Sequence, residues 1–308
     1  MKVLVCDLID ESSVQKMRRA GLNVDVKTGM PMDELLKHVG NYEALVVRSA
    51  TKVTKEVIEK GGNLKIIVRG GVGLDNIDAE AAKKANIKVE NTPEASSVSV
   101  AELTIGMMFA LSRKIAAADA AMKQGKWEKK KLEGTELWKK TLGLVGIGRI
   151  GFEVAKRAIG LEMAVVAYDP YLKPVPDKIT KLGIKILSLN EVLAQSDFIS
   201  LHLPLTSETK YILNMKAFNI MKKNAVIINC ARGGIVNEKE LAEAIKNGVI
   251  AGAGLDVYEQ EPVAPDNPLL TLGEKILLTP HLGASSFEGQ GRVGDAVAEK
   301  LIAYFQQK

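Results

Sequence analysis

Cysteine and histidine are scarce in this 308-residue chain, which contains two cysteines and three histidines. Because Cys6 and Cys230 lie in separate apolar runs, neither a disulfide framework nor a cysteine-based zinc cluster is expected, and we predict no metal site. No apolar run approaches the roughly 20 residues of a membrane-spanning helix. The amino terminus also carries Asp7 and Asp10 and lacks the features of a secretion signal. We therefore expect an intracellular, cytoplasmic protein.

The excess of positive charge is also small, with a formal net charge of +5. This suits small anionic ligands better than a nucleic-acid groove, so we expect neither nucleic-acid nor membrane binding. Much of the excess lies in residues 122–140, MKQGKWEKKKLEGTELWKK, which include both tryptophans of the chain, Trp127 and Trp138. Charge runs are usually solvated, and the residues alone favour a surface loop with two anchoring aromatic side chains.

Short β-branched runs alternate along the chain with amphipathic segments that end in glycine. This pattern predicts parallel strands joined by crossover helices. A first series, with strands at VLVCDL, ALVVRS and LKIIVRG, runs to about Asn91. A second starts at TLGLVGIG, and its six strand candidates fit a complete nucleotide-binding sheet. Between the two series, residues 96–122 predict one long connecting helix. The second series ends in a buried strand at residues 276–278, and a closing helix follows His281.

The strongest motif is LGLVGIGRIG, in which Gly146, Gly148 and Gly151 have the G-x-G-x-x-G spacing between an apolar strand and a helix. Glycines permit the tight turn and the approach of the backbone to a pyrophosphate, and the helix N-terminus offers N–H groups to the phosphates. The next strand ends at Asp169, where an acid binds ribose hydroxyls and repels a 2′-phosphate. The motif therefore predicts NAD rather than NADP as the cofactor.

Polar residues fall at the carboxyl ends of the later strand candidates, where ligands of open α/β sheets gather. They are His202, Arg232, Asp256 and His281, with Glu261 five residues after Asp256. Arg can hold a carboxylate through two hydrogen bonds, His can exchange a proton near neutrality, and an adjacent carboxylate can orient that His. The residues alone do not decide whether His202 or His281 exchanges the proton.

Over nearly its whole length the chain resembles the D-isomer-specific 2-hydroxyacid dehydrogenase family. The motifs that carry the resemblance are VVRSATKVT, RGGVGLDNID, SVAELTIGMM, GKWEKKKLEGTEL, LGLVGIGRIG, INCARGGIVNE, AGAGLDVYEQEP and TPHLGAS. The resemblance implies an α/β protein with two doubly wound parallel sheets. Residues 97–283 would form a Rossmann NAD-binding domain, and residues 1–96 plus 284–308 a flavodoxin-like substrate-binding domain.

The resemblance also implies roles for individual residues. Arg232, Glu261 and His281 would form the catalytic set, with His281 exchanging a proton with the substrate C2 oxygen, which favours it over His202. Leu203 stands where relatives often carry Thr, so only a backbone contact is expected there. The residues expected at the NAD site are Val72, Gly146, Gly148, Arg149, Ile150, Gly151, Asp169, Leu203, Cys230, Ala231, Asp256 and Gly283.

Two motifs, GKWEKKKLEGTEL and HLGAS, favour the branch of the family that acts on D-3-phosphoglycerate. The expected reaction is its NAD-dependent oxidation to 3-phosphohydroxypyruvate, the first step of serine biosynthesis. The substrate phosphate would be held by Arg48 and Arg69 together with Lys129 of the partner subunit, which makes residues 122–140 the arm of a homodimer or of a dimer of dimers. Further substrate contacts are expected at Ser49, Gly73 and Asn91.

Two alternatives stay open. A glyoxylate or hydroxypyruvate reductase keeps the catalytic set and does not need the three cations together. An NAD-sensing scaffold on the same fold can also retain that set, although the chain shows no obvious partner-binding insert. Because the chain stops at Lys308, directly after the closing helix, we also expect no serine-binding domain beyond it and no inhibition by serine through such a domain.

Overall fold

The structure, a computed structural model, describes residues 1–306 and divides the chain into two compact units. The first unit comprises Met1–Ser97 together with the chain from Ala284 onward, and the second comprises Val98–Gly283. Each unit is built on one β-sheet. The substrate-binding role expected for the first unit stays a prediction.

Twelve strands and twelve α-helices are found in the described residues. The strands are β1 (Lys2–Val5), β2 (Asn23–Val26), β3 (Ala44–Val47), β4 (Ile66–Arg69), β5 (Lys88–Asn91), β6 (Thr141–Val145), β7 (Ala164–Tyr168), β8 (Lys185–Ile186), β9 (Phe198–Leu201), β10 (Val226–Asn229), β11 (Gly252–Leu255) and β12 (Ile276–Leu278). The helices are α1 (Glu11–Arg19), α2 (Met32–His38), α3 (Lys55–Lys60), α4 (Ala79–Lys84), α5 (Ser97–Ser112), α6 (Ile115–Lys123), α7 (Arg149–Gly160), α8 (Asp177–Thr180), α9 (Leu189–Gln195), α10 (Met215–Phe218), α11 (Glu238–Lys246) and α12 (Phe287–Gln306). Within residues 1–306, no helix is both long and apolar enough to cross a bilayer.

The sheet of the first unit has five parallel strands in the order β2-β1-β3-β4-β5. Successive side chains of a strand point to opposite faces, so Leu4 packs into one apolar cluster while Val3 and Val5 pack into the other. Helix α12 covers the second cluster with Val297 and Leu301. A parallel sheet buried on both faces follows from the continuous apolar runs of its central strands.

The sheet of the second unit has seven parallel strands in the order β12-β11-β10-β9-β6-β7-β8. The chain starts at β6, moves outward to β8, and then returns to place β9 on the other side of β6. The strand order therefore reverses between β6 and β9, which is the position where doubly wound sheets bind ligands. Both sheets confirm the predicted fold class.

The sequence pattern was wrong about several edge elements. It predicted six strands in the second sheet and overlooked β8, a two-residue strand, and it named neither β2 nor β5 in the first. These strands lie at sheet edges and carry polar residues, as NVDV and KVEN illustrate. Strand β12 is also an edge strand and is half-buried, not buried as expected.

The predicted single helix over residues 96–122 is interrupted. Lys114 has φ 50°, in the left-handed region, and it separates α5 from α6. A left-handed residue cannot continue an α-helix. Its ammonium donates to the carbonyl of Lys131 at 3.0 Å and lies 3.6 Å from a carboxylate oxygen of Glu274. At the break between α5 and α6, Lys114 therefore contacts residues that are far from it in the sequence.

We expect Leu144→Ala to destabilise the second unit far more than Leu270→Ala. Leu144 lies in the central strand β6 and is fully buried, whereas Leu270 is 50% exposed. A leucine-to-alanine cavity in a core costs about 2–5 kcal/mol of unfolding free energy, and an exposed site costs about 0.5 kcal/mol or less. Equilibrium urea unfolding of the two variants measures the difference. Equal losses would contradict the core assignment of β6.

Candidate active site

The glycine-rich turn after β6 meets the residues that follow β9. Gly146 has φ +93°, and a Cβ atom there would lie 2.7 Å from the carbonyl oxygen of His202 and 2.9 Å from Cδ2 of Leu203. At Gly151 a Cβ atom would lie 2.5 Å from the carbonyl oxygen of Gly146. Larger residues do not fit at either position. The close approach brings Gly146, Gly151 and Leu203 together at the switch point of the sheet.

The start of α7 leaves room for an anion beside this turn. A Cβ atom at Gly148 would have no other atom within 4 Å, and Arg149 and Ile150 form the first turn of the 12-residue helix. Asp169, at the end of β7, accepts a hydrogen bond from the backbone N–H of Ile147 at 3.0 Å. The open helix N-terminus fits a pyrophosphate, and the carboxylate beside it fits ribose hydroxyls. These residues therefore fit a dinucleotide.

His202 packs against the glycine-rich turn. Its Nε2 atom lies 2.9 Å from the hydroxyl of Ser200, and its Cδ2 atom would be 3.4 Å from a Cβ atom at Gly151. Burial lowers the pKa of His202 to about 3. A ring that is neutral at pH 7 and paired with a hydroxyl is poorly suited to accept a proton from a substrate.

His281 has a carboxylate partner. Its Nδ1 atom lies 2.8 Å from Oε2 of Glu261, and the other carboxylate oxygen of Glu261 accepts the N–H of Tyr258 at 3.1 Å. The His281 side chain is 46% exposed, so solvent and ligands can reach the ring. Its backbone has φ 55°, a strained conformation for a residue that is not glycine. Strain of this kind is concentrated at functional sites.

Asp256 holds the segment that carries His281. The aspartate is fully buried at the end of β11. Its Oδ1 atom accepts the hydroxyl of Thr279 at 2.6 Å and the N–H of Leu282 at 2.7 Å, and its Oδ2 atom accepts the N–H of Gly283 at 2.8 Å. The carboxylate thus ties both sides of His281 to the neighbouring strand. A contact of Asp256 with the cofactor stays a prediction.

The segment with Arg232 packs directly on the segment with Glu261. Asn229 shapes the turn after β10, since its side chain accepts the N–H of Ala231 at 3.0 Å and donates to the carbonyl of Arg232 at 2.9 Å. A Cβ atom at Gly233 would lie 1.7 Å from the carbonyl oxygen of Tyr258. The second residue of the RGG sequence is therefore glycine because backbone meets backbone there. The loops that carry Arg232, Glu261 and His281 therefore all leave the sheet at the carboxyl ends of its strands.

Cys230, another residue expected at the NAD site, is buried beside Met107, with 3.6 Å between the two sulfur atoms. Burial raises the pKa of its thiol to about 12 and does the same to Cys6. Neither thiol is therefore a nucleophile. Within residues 1–306, no group of three or more His, Cys, Asp or Glu side chains is arranged to hold a metal ion.

Arg48 and Ser49 lie at the end of β3 in the first unit. The buried carboxylate of Asp7 accepts the N–H of Arg48 at 2.5 Å and both the N–H and the hydroxyl of Thr51, at 3.1 and 2.7 Å. The anchored loop borders a cavity of about 640 Å³, to which Arg48, Ser49 and Lys52 contribute. Asp7 also lines the cavity, so two cations and several hydroxyls face one carboxylate there. The excess of positive charge is compatible with an anionic ligand.

The other predicted substrate residues of this unit lie at the carboxyl ends of β4 and β5 or in the loop after β4. Arg69 extends over Gly71, where a Cβ atom would lie 1.7 Å from its Nη1 atom. Asn91 donates from Nδ2 to the carbonyl of Val72 at 2.5 Å, one residue before Gly73. The structure therefore gives Asn91 a role in shaping the Val72–Gly73 backbone. A direct substrate contact of Asn91 stays a prediction.

Lys129 lies on the surface, in a single 3-10 turn of three lysines, residues 129–131. The two tryptophans that flank it are also exposed, Trp127 by 80% and Trp138 by 50%. They do not anchor the segment in an apolar core, although Trp138 donates from Nε1 to Glu162 at 3.0 Å. The arm of a homodimer stays a prediction for residues 122–140.

Sequence reasoning missed Tyr258, whose hydroxyl joins two strand ends. It donates to the carbonyl oxygens of Leu255 at 3.1 Å and of Thr279 at 2.8 Å. The tyrosine is buried, and burial raises its pKa to about 12, so the hydroxyl stays protonated and can donate. A buried aromatic residue with a polar end usually has a partner, and this was the only local signal for such a role.

Comparison with known proteins identifies the family of the chain. Residues 105–283 match the sequence model of the D-isomer specific 2-hydroxyacid dehydrogenase, NAD binding domain. The chain belongs to the D-isomer specific 2-hydroxyacid dehydrogenase family. The match confirms the family resemblance and the prediction of NAD as the cofactor.

Similar proteins differ in length and name. A D-3-phosphoglycerate dehydrogenase of Archaeoglobus fulgidus is 50% identical over 98% of this chain and 57% of its own length. A hydroxypyruvate reductase of Thermotoga maritima is 48% identical over 98% of this chain and 97% of its own length. The crystal structure of the TT0316 protein of Thermus thermophilus superposes with a TM-score of 0.91 at 36% identity, over 100% and 98% of the two chains. The chain thus spans about half the length of several curated relatives.

We expect His202 to make the folded protein less stable as the pH falls. The pKa of His202 is about 3 in the folded state against an ordinary value of 6.5, so the unfolded chain binds more protons between these values. The contribution of His202 to the free energy of unfolding is complete above pH 6.5 and is lost as the pH falls toward 3. The free energy of unfolding of His202→Gln should therefore vary less between pH 7.5 and pH 4.5 than that of the wild type.

The control is His38→Gln, because the side chain of His38 is 40% exposed on α2. This variant should keep the pH dependence of the wild type. Equal pH dependence in the wild type and His202→Gln would contradict the depressed pKa.

Proposed function

We propose that this chain is the catalytic part of an NAD-dependent dehydrogenase that oxidises D-3-phosphoglycerate to 3-phosphohydroxypyruvate, the first step of serine biosynthesis. The observation that carries the proposal is the 2.8 Å contact between His281 and Glu261, at the sheet edge where Arg232 also lies. A histidine with a carboxylate partner can exchange a proton, and a nearby arginine can bind a carboxylate. Relatives that bear this enzyme's name support the choice of substrate.

The proposed mechanism uses the free ring nitrogen of His281. Because Nδ1 is paired with Glu261, Nε2 is available to take the proton from the C2 hydroxyl. Glu261 then stabilises the positive charge on the imidazole, and Arg232 binds the substrate carboxylate and polarises the C2 oxygen. When bound, NAD would supply the acceptor for the hydride that leaves C2. The cofactor would be held by the turn of Gly146 to Gly151 and the neighbouring residues expected at the NAD site.

The proposal of a phosphorylated substrate depends on three positively charged side chains. Arg48 and Arg69 of the first unit and Lys129 of the partner subunit would neutralise it, which makes the enzyme a homodimer with residues 122–140 as its arm. The exposure of both tryptophans supports an arm that is covered by another subunit. A cytoplasmic location belongs to the same proposal.

Hydroxypyruvate reduction is the second candidate function. The relative from Thermotoga maritima with that name is 48% identical to this chain, close to the 50% of the dehydrogenase from Archaeoglobus fulgidus. Such an enzyme would use the same proton exchange at His281 in the reverse direction. It would not need the three phosphate-binding cations together.

Replacing His281 by Ala should lower kcat by roughly 10²- to 10⁴-fold, since general acid–base catalysis contributes that much. The dissociation constant for NADH, measured by fluorescence, should stay unchanged because the ring is not expected to bind the cofactor. His38→Ala is the control, and it should retain full activity. A His281→Ala variant with wild-type kcat would remove His281 from the mechanism.

The phosphate assignment predicts that kcat/KM is higher for 3-phosphoglycerate than for D-glycerate. Arg48→Gln should reduce only the value for the phosphorylated acid, by roughly 10- to 100-fold, which corresponds to one hydrogen-bonded charge contact. The exposed Arg19 of α1 supplies a matched control, Arg19→Gln. These values are measured by following NADH absorbance with 3-phosphoglycerate, D-glycerate and hydroxypyruvate as substrates. A preference for the unphosphorylated acids would instead support the reductase, and NADH binding without turnover of any acid would support a scaffold.

A further inference from the structure

Near the Glu261–His281 pair, Glu238 and Glu259 each accept the backbone N–H of the other with their side-chain carboxylate. Glu238, at the start of α11, accepts the N–H of Glu259 at 2.5 Å, and Glu259 accepts the N–H of Glu238 at 3.0 Å. Asn267 donates to the second oxygen of Glu238 at 2.8 Å. Because Glu259 lies two residues before Glu261, this exchange attaches the Glu261 loop to a helix.

Tyr211 connects the same loop to the segment with Arg232. Its hydroxyl donates to Oε2 of Glu259 at 2.8 Å, and its backbone N–H donates to the carbonyl of Gly234 at 2.8 Å. Tyr211 has φ 53°, a conformation that is rare outside glycine and is strained for a bulky residue. The side chains of Tyr211, Glu238 and Glu259 are called the carboxylate brace below.

The carboxylates of the brace do not favour the stability of the folded protein. Glu238 is 8% exposed; burial raises its pKa, and the charges of Glu259 and Glu261 raise it further. Two hydrogen bonds, from the N–H of Glu259 and from Asn267, oppose this effect. An apolar residue of similar volume often stabilises a protein more than a buried charge does. Placing these three carboxylates close together therefore points to a requirement other than stability.

We propose that the carboxylate brace is a positioning device, which holds the Glu261 carboxylate against His281. Tyr211, Glu238 and Glu259 are positioning residues, because they act through Glu261 and do not touch the substrate. The inference rests on the proposed proton exchange at His281. It goes beyond that exchange by assigning to Tyr211 and Glu238 an effect on catalysis from behind the site.

Tyr211→Phe tests the brace with little risk to folding. Tyr211 is half-buried and Glu259 is exposed, and both border a cleft of about 680 Å³, so water can replace the lost hydroxyl. Tyr304→Phe is the matched control, because it removes a tyrosine hydrogen bond of 3.3 Å to the carbonyl of Lys65 in the first unit. Glu238→Gln perturbs the brace from the helix side.

A double-mutant cycle with Glu261→Gln separates positioning from a general structural effect. In the wild-type background, Tyr211→Phe should lower kcat roughly three- to tenfold, the rate equivalent of about one hydrogen bond. In the Glu261→Gln background it should have little further effect. Tyr304→Phe should change kcat in neither background. An equal reduction by Tyr211→Phe in both backgrounds would overturn the proposal.

NMR of the histidine rings tests the brace without any substrate. The chain has only three histidines, so the ring signals of His281, His38 and His202 can be assigned from single substitutions. Because Nδ1 of His281 lies 2.8 Å from Glu261, its ring signals at one fixed pH report on that contact. In Tyr211→Phe and in Glu238→Gln these signals should shift in the same direction as in Glu261→Gln, by a smaller amount, while those of His38 stay constant. Unchanged His281 signals in both variants would refute the brace. If the wild type oxidises no 2-hydroxy acid, the proposed function fails, and this measurement still decides the inference.

Discussion

The candidate site depends on the buried carboxylate of Asp256. A buried charge without partners costs several kcal/mol, and Asp256 meets this cost with three hydrogen bonds from the segment around His281. The same aspartate begins the loop that carries Glu261. One side chain therefore sets the distance between the two segments, which allows Glu261 and His281 to meet although 20 residues separate them.

The parallel register makes this arrangement possible. Asn229, Leu255 and Leu278 are partners in adjacent strands and are the last residues of β10, β11 and β12. The three loops that follow thus leave the sheet at the same level. Because each strand is held by hydrogen bonds to its neighbours, the loops start from a rigid edge, and short polar contacts suffice to orient their side chains.

Much of this edge could be predicted from the sequence, because apolar runs identify strands and the polar residue after each run marks its carboxyl end. The pattern could not predict β2, β5 or β8, whose polar residues lie at sheet edges, nor the break at Lys114, where the local sequence favours a continuing helix. It also did not separate His202 from His281. The two histidines differ in their hydrogen-bond partners: His202 has the hydroxyl of Ser200, and His281 has the carboxylate of Glu261, 20 residues away. The periodicity of a sequence does not predict such contacts.

Among residues 1–306, six residues other than glycine have a left-handed backbone, and two of them, Tyr211 and His281, belong to this one network. Strained residues persist only where their surroundings hold them, and here the holding groups are carboxylates: Asp256 for the segment of His281, and Glu259 for the hydroxyl of Tyr211. Tyr258 connects the apolar packing to these contacts, because it belongs to the cluster on one face of the sheet and its N–H donates to Glu261. The geometry of the site therefore depends on polar contacts that the apolar packing supports through Tyr258.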